Sequence, residues 1–181
     1  MNKVLILDFG SQYTQLIARR IRELNVYSVI EPCTVDIEKI RKHKPKAIIL
    51  SGGPNSVYDK HAPSLDKSLY AMGVPVLGIC YGMQLTMKLN GGAVQASDKR
   101  EYGKAVMYID DHKDLFYTLP ARVVSWMSHG DSTTKLPKGF EKIAHTEHTG
   151  FAAVADKKRK IYCVQFHPEV VHTEMGTQII S

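Results

Sequence analysis

The sequence predicts an α/β fold: an open mixed, mostly parallel central sheet with helices on both faces, plus an antiparallel hairpin. Three features predict it. Short β-branched runs alternate with amphipathic stretches through the first half, the pattern of parallel strands joined by crossover helices. Glycine-rich stretches stand at the ends of two of those apolar runs, where open parallel sheets place their sites. After residue 92 the pattern becomes short strands separated by turns, and the last two strands flank a basic turn as a hairpin. Both halves are expected to share one sheet system in one domain, since 181 residues with 44% hydrophobic content can build a proper core.

Residues 4–7 (VLIL) read as the first strand. Tyr13, Leu16, Ile17, Ile21 and Leu24 then recur at helical spacing with Arg19, Arg20 and Arg22 on the other side, so residues 12–24 make an amphipathic helix. Strand character returns over 26–30. Residues 36–43 make a short helix opened by Asp36, a good N-cap. Residues 47–50 form the third strand and run into Ser51-Gly52-Gly53-Pro54. A helix over 64–72, with Gly73 as its C-cap, precedes the fourth strand at 74–79, which ends at Cys80. The next helix begins near Gly82 or Met83 and stops at Asn90-Gly91-Gly92. Strands are then expected over 104–109, 121–127, 141–145, 151–155 and 161–166, and a helix begins near Thr173. Gln178-Ile179-Ile180-Ser181 is an apolar ending, and further sequence is expected beyond it.

Composition excludes several function classes. No run of eighteen apolar residues exists, and the first thirteen residues lack a long hydrophobic region and a small-residue cleavage site, so a cytoplasmic protein with no membrane partner is expected. Cys33, Cys80 and Cys163 are odd in number and far apart, which argues for reduced thiols and against a disulfide framework or a zinc knuckle. Net charge is +6, and its densest cluster, Lys157-Lys158-Arg159-Lys160, separates two strand-like runs. A solvated hairpin turn is favoured there over nucleic-acid binding, because no aromatic interleaving accompanies the charge.

Gly78-x-Cys80-x-Gly82 has the spacing of a nucleophile elbow, in which a sharp strand-to-helix turn presents the nucleophile. The helix that follows directs its N-terminal amides at the sulfur, a placement that favours the thiolate. An arbitrary cysteine is more often a buried packing residue. The glycine frame sets Cys80 apart from Cys33 and Cys163. A catalytic thiol needs a proton carrier and a group to orient it. His167 and Glu169 are two apart across Pro168, so on an extended chain they face the same side, and Glu169 can hold one imidazole nitrogen while the other faces the thiol. Gly52-Gly53 supplies either backbone donors for a developing oxyanion or a plain tight turn.

Competing motifs fit less well. Ser51-Gly52-Gly53-x-Asn55-Ser56 differs from a phosphate-binding SGGxDS loop, with Pro54 removing a donor and Asn55 replacing Asp. Asp8-Phe9-Gly10 has no kinase context, Ser128-His129-Asp131 are too close in sequence to converge as a triad, and His145-x-x-His148 lacks the Glu of a zinc-protease helix.

Together SGGP, GICYGMQ and VQFHPE resemble the triad-type, class I glutamine amidotransferases. LILDFGSQY (5–13), WMSHGD (126–131) and VQFHPEVVHT (164–173) narrow the resemblance to the branch that supplies ammonia for amination of XMP to GMP, and the similarity runs in order through nearly the whole chain. The resemblance implies a flavodoxin-like mixed sheet, with Cys80 as nucleophile, His167 as acid/base and Glu169 as orienting carboxylate. It implies an oxyanion hole from the amides of Gly53 and Tyr81. Gly52, Gln84 and the backbone around Ser128, His129 and Gly130 are implied to hold glutamine. The wider family often has Leu and His where Tyr81 and Met83 stand, a departure that leaves the triad untouched. Implied partners are glutamine and an ATP pyrophosphatase (synthetase) domain or subunit, with no nucleic acid. The pyrophosphatase and dimerisation domains of the two-domain relatives are absent from this chain, and no cofactor is implied for it, ATP and Mg2+ being expected only in the synthetase module. Two other functions stay open: an amidotransferase of anthranilate or carbamoyl phosphate synthesis, which LILDFGSQY and WMSHGD fit poorly, and a non-catalytic partner-binding module, which has no physical reason to keep an intact triad.

Overall fold

The computed structural model describes residues 3–181, Asp98 and Lys99 through their backbone alone. The first half runs β1 (Lys3–Asp8), α1 (Thr14–Glu23), β2 (Tyr27–Pro32), α2 (Ile37–His43), β3 (Ala47–Leu50), β4 (Val76–Ile79) and α3 (Tyr81–Leu89). The second runs β5 (Ala93–Ile109), β6 (Arg122–Lys135), β7 (Glu141–His145), β8 (Ala153–Asp156), β9 (Ile161–Val164) and α4 (Gly176–Ile180).

Among the described residues nine strands form one sheet in the order β2-β1-β3-β4-β9-β8-β7-β5-β6. From β2 to β9 the neighbours are parallel, and from β9 to β6 they are antiparallel. The expected mixed sheet is therefore present, with an antiparallel part larger than one hairpin. Side chains alternate between two cores: Val4 and Ile6 face one side with Ile17, Ile21 and Ile179, while Leu5 and Leu7 face the other with Ile40, Met83 and Met87. A strand buried on both faces reads as a continuous apolar run, which is why VLIL shows no polar alternation. The helices thus cover both faces, as predicted.

The Asp36 carboxylate caps α2 by accepting the Glu38 N–H at 2.7 Å. Three expectations change. The helix expected over 64–72 is only a 3-10 turn, Lys67–Ala71: Pro63 and the Asp66 cap on one side and Gly73 at φ +71° on the other leave no room for a second turn. The strands expected over 104–109 and 121–127 are parts of β5 and β6, which continue as one long ribbon. An irregularity between Ala96 and Glu101 interrupts the period of two there, so the polar stretch carries no strand signature. Finally α4 starts at Gly176, because the preceding segment is pinned to β6: Trp126 N–H donates to Thr173 Oγ1 (3.0 Å) and Glu174 N–H to the Val124 carbonyl (2.8 Å).

The basic cluster is a turn between β8 and β9. Its charges are partly paired within the chain, Lys157 with Asp111 and Glu141, and Arg159 with Asp156. Among the described residues no helix is long and apolar enough to cross a membrane.

Candidate active site

The carboxyl ends of β1, β3, β4 and β9 meet at one end of the parallel half, the position where open α/β sheets hold ligands. Cys80 follows β4 directly and sits at φ +51°, ψ −106°, a backbone state that costs a non-glycine residue roughly 1–3 kcal/mol. Its surroundings hold it there. The Cys80 N–H donates to the Val164 carbonyl (2.8 Å), its own carbonyl accepts the Gln84 N–H (3.1 Å), and the Gly82 N–H donates to the Ser51 carbonyl (3.1 Å). The flanking glycines permit the approach: a Cβ on Gly82 would lie 2.5 Å from the Leu50 carbonyl oxygen, and one on Gly78 would lie 2.9 Å from Gly82. The predicted elbow is present.

His167 leaves β9 on an extended run whose N–H donates to the Trp126 carbonyl (3.0 Å) and whose carbonyl accepts the Thr173 hydroxyl (2.6 Å). Its Nδ1 lies 2.8 Å from Glu169 Oε1. The Cys80 thiol donates to the Ser128 carbonyl at 3.7 Å, and its sulfur also acts on the imidazole electrostatically. A Cβ built on Gly52 would touch both residues, 3.1 Å from His167 Cε1 and 3.7 Å from Cys80 Cβ, so the two side chains meet over one glycine. Burial of the ring, the largest influence, favours its neutral form; the contacts and charges of Cys80 and Glu169 together outweigh it and raise the imidazole from 6.5 to about 10. Tyr13 packs edge-on against the ring, with centroids 5.3 Å apart. Glu169 is fully buried, and its backbone carbonyl accepts Arg20 Nε at 3.1 Å.

The other cysteines differ. Burial pushes the Cys163 thiol up to about 12 and raises Cys33 as well; neither lines the cleft above Cys80, and Cys33 borders a separate surface pocket with Asp36 and Asp66.

A cleft of about 600 Å³ opens above Cys80 and His167. The loop after β1 (Gly10, Ser11, Tyr13), the loop after β3 (Gly53, Asn55, Ser56), Gln84, and Ser128, His129, Gly130 and Asp131 of β6 line it. Gly53 is held so close to Phe9 that a Cβ would come within 2.7 Å of its carbonyl oxygen. Tyr81 is the first residue of α3, so its N–H is free of intrahelical bonding. Gly52, Tyr81 and Glu169 are buried beneath the cleft surface rather than lining it. The Gln84 amide donates to the Asp131 carbonyl (2.9 Å) and to Gln165 Oε1 (3.3 Å), tying α3 to the β6 wall and to the triad segment. Ser128, His129 and Asp131 form no relay: Asp131 Oδ2 accepts Ser56 Oγ at 2.6 Å, while His129 Nδ1 faces the Asp131 backbone carbonyl at 2.9 Å.

Several lining residues are not assigned to the site by the sequence reading: Tyr13, Ser56, Asp131, and Arg100 and Tyr102 of β5. Tyr13 carried a usable signal, since it closes the loop after a parallel strand. Arg100 and Tyr102 carried none, because they lie on the ribbon stretch that shows no strand pattern. Glu174 has an internal role, its carboxylate accepting the Val124 N–H at 2.8 Å, and His172 packs against Trp126 with centroids 4.5 Å apart and the rings tilted by 33°.

Comparison with known proteins bears on the family and the fold. A family model described as glutamine amidotransferase class-I matches residues 5–181. The chain is 58% identical over its whole length to a protein of Brachyspira hyodysenteriae named GMP synthase [glutamine-hydrolyzing], of which it covers 35%. A Staphylococcus carnosus protein of the same name is 55% identical over 98% of the chain, which covers 34% of it. The chain thus spans about a third of the length of the curated relatives it matches. Among solved structures, a Thermoplasma acidophilum protein described as a candidate GMP synthase subunit superposes with TM-score 0.92 at 31% identity, covering 99% of this chain and 90% of that one. A Thermotoga maritima glutamine amidotransferase, 21% identical over 93% of this chain and 76% of its own, shares the fold with TM-score 0.75.

Proposed function

The chain belongs to the class I glutamine amidotransferase family, and on that basis we propose that it hydrolyses glutamine to glutamate and ammonia through a thioester on Cys80. One observation carries the reading: a strained cysteine elbow and a buried imidazole, itself braced by a carboxylate at 2.8 Å, meet at the floor of one cleft.

The Cys80 thiolate attacks the side-chain amide carbon of glutamine, and the C–S bond forms as the carbonyl π bond becomes an oxyanion. The amides of Gly53 and Tyr81 receive that charge. Collapse breaks the C–N bond, and the His167 imidazolium gives its proton to the departing nitrogen, which leaves as ammonia. Water then adds to the γ-glutamyl thioester while His167 takes a proton from it, and the C–S bond breaks to return thiolate and glutamate. Glu169 holds the ring in the orientation that serves both steps. Gln84 and the backbone of Ser128, His129 and Gly130 receive the amino-acid end of the substrate, whereas Gly52, buried beneath the cleft between Cys80 and His167, leaves room for those two side chains to meet.

The relatives' names support a finer reading. This chain is the glutaminase domain of a GMP-forming enzyme, and its ammonia goes to an adenylated XMP intermediate on an ATP pyrophosphatase partner, where ATP and Mg2+ act. The partner also carries the dimerisation function. A cytoplasmic location fits the unpaired thiols.

Glutamate release from glutamine, with and without an added synthetase module, tests this. The parent chain turns over slowly alone and faster with the module, and Cys80→Ala abolishes both rates. Turnover by Cys80→Ala at the parent rate contradicts the assignment, and its absence from the parent under both conditions favours a binding module.

A further inference from the structure

The inward face of the ribbon carries a charged group that the proposed chemistry does not use. Glu101 on β5 is 8% exposed and lies beneath the β6 wall of the cleft. Its carboxylate accepts the Thr146 hydroxyl at 3.0 and 3.1 Å and the Thr149 hydroxyl at 2.6 Å, two buried threonines of the turn between β7 and β8. On its other side His129 Nε2 lies 3.8 Å from Oε2 and 3.5 Å from Thr149 Oγ1.

The network continues into the cleft. With Nε2 turned to Glu101, His129 turns Nδ1 to the Asp131 carbonyl at 2.9 Å, and Gln84 Nε2 donates to that same carbonyl at 2.9 Å. The contact made by one ring nitrogen sets the role of the other. Gln84 reaches on to Gln165, two residues before His167. A chain of contacts therefore runs from Thr146 and Thr149 through Glu101 and His129 to the backbone that lines the substrate cleft.

A buried carboxylate without hydrogen-bond partners is costly, and one satisfied on several sides rigidifies what it touches. Glu101 is stabilised as the anion: desolvation alone would raise its pKa, while the nearby His129 ring and the hydroxyl bonds from Thr149 and Thr146 lower it.

We propose that Glu101 is a positioning residue for the amino-acid end of glutamine, acting through His129 to hold the 128–131 wall of the cleft in the shape that receives substrate. The inference rests on the glutaminase reading for its substrate. It differs from it in mechanism, because Glu101 touches neither glutamine nor the triad.

Steady-state kinetics on the full chain test it. Glu101→Gln replaces an acceptor by an NH2 group that cannot take the threonine hydroxyl, and KM for glutamine rises about tenfold with kcat held within about twofold. Alkylation of Cys80 by iodoacetamide, which has no amino-acid end to recognise, keeps its parent rate. Thr149→Val raises KM in the same direction and Thr149→Ser restores it, so the pair carries the test if Glu101→Gln fails to fold. An unchanged KM in both Glu101→Gln and Thr149→Val overturns the proposal, as does a joint fall of kcat and iodoacetamide reactivity. Calorimetric glutamine affinity of Cys80→Ala, with and without Glu101→Gln, separates the two ideas. A parent chain that never hydrolyses glutamine defeats the glutaminase reading. Equal affinities in the two Cys80→Ala chains, or no measurable binding in either, defeat the positioning role.

Discussion

The parallel half of the sheet and the β5–β6 ribbon wall the same cleft by different means. In the parallel half the reacting groups stand on strand ends packed so tightly that Gly52, Gly53, Gly78 and Gly82 have no space for a methyl group without a neighbour moving. On the ribbon, Gly103 at φ +91° has open space around it, and the wall is held instead by polar contacts to Glu101, His129 and Gln84. Each half meets a separate requirement. Chemistry needs atoms fixed to a fraction of an ångström, which close packing supplies. Recognition of an amino acid needs directional polar groups, which a hydrogen-bonded ribbon supplies.

Substitutions can undo this division of labour. The largest effect is expected at His167→Ala, which removes the proton carrier and lowers kcat about 10⁴-fold, read as glutamate release. Glu169→Ala is expected to be about 10²-fold milder, since the carboxylate only orients. Loss of that partner also moves the His167 titration, followed by NMR, downward from about 10 toward 6.5. Equal rates for both variants and the parent would remove the acid/base pair.

Gly52→Ala probes the close-packed side. Its Cβ arrives 3.1 Å from His167 Cε1. A ring displaced by part of an ångström is expected to cost about 10²-fold in kcat while KM barely moves. A KM effect without a kcat effect would shift Gly52 from the chemistry to substrate binding.

The mildest consequences are on stability, and they rank the two regions directly. Gly82→Ala drives a Cβ to within 2.5 Å of the Leu50 carbonyl oxygen and is expected to cost about 3 kcal/mol in urea unfolding. Gly103→Ala meets only its own positive φ and is expected to cost about 1 kcal/mol. The reverse ranking would mean that the ribbon, not the elbow, is the rigid element.

The same division governs what could be read from sequence. Apolar runs such as VLIL and AIIL announced the parallel strands, and the glycines around Cys80 announced the elbow, because close packing restricts residue type at fixed spacing. His167 and Glu169 were legible because two residues on an extended chain share a side. The ribbon was half hidden. Residues 93–97 and 100–103 mix solvent-facing, cleft-facing and buried polar positions across an irregularity, so neither alternation nor hydrophobicity survives. Arg100 and Tyr102 in the cleft wall, and Glu101 beneath it, depend on pairing with β6 and on a turn some 45 residues away, which no local pattern encodes.

Of the three cysteines, Cys80 alone is assigned as the nucleophile, and covalent labelling distinguishes it from the other two. The full chain is treated with a diazoketone analogue of glutamine, digested and mapped by mass spectrometry, with excess glutamine as competitor. A single thioether is expected on Cys80, suppressed by glutamine and absent from Cys80→Ala. Glutamine-protected label on Cys33 or Cys163, or labelling of Cys80 that glutamine leaves unchanged, would refute the assignment.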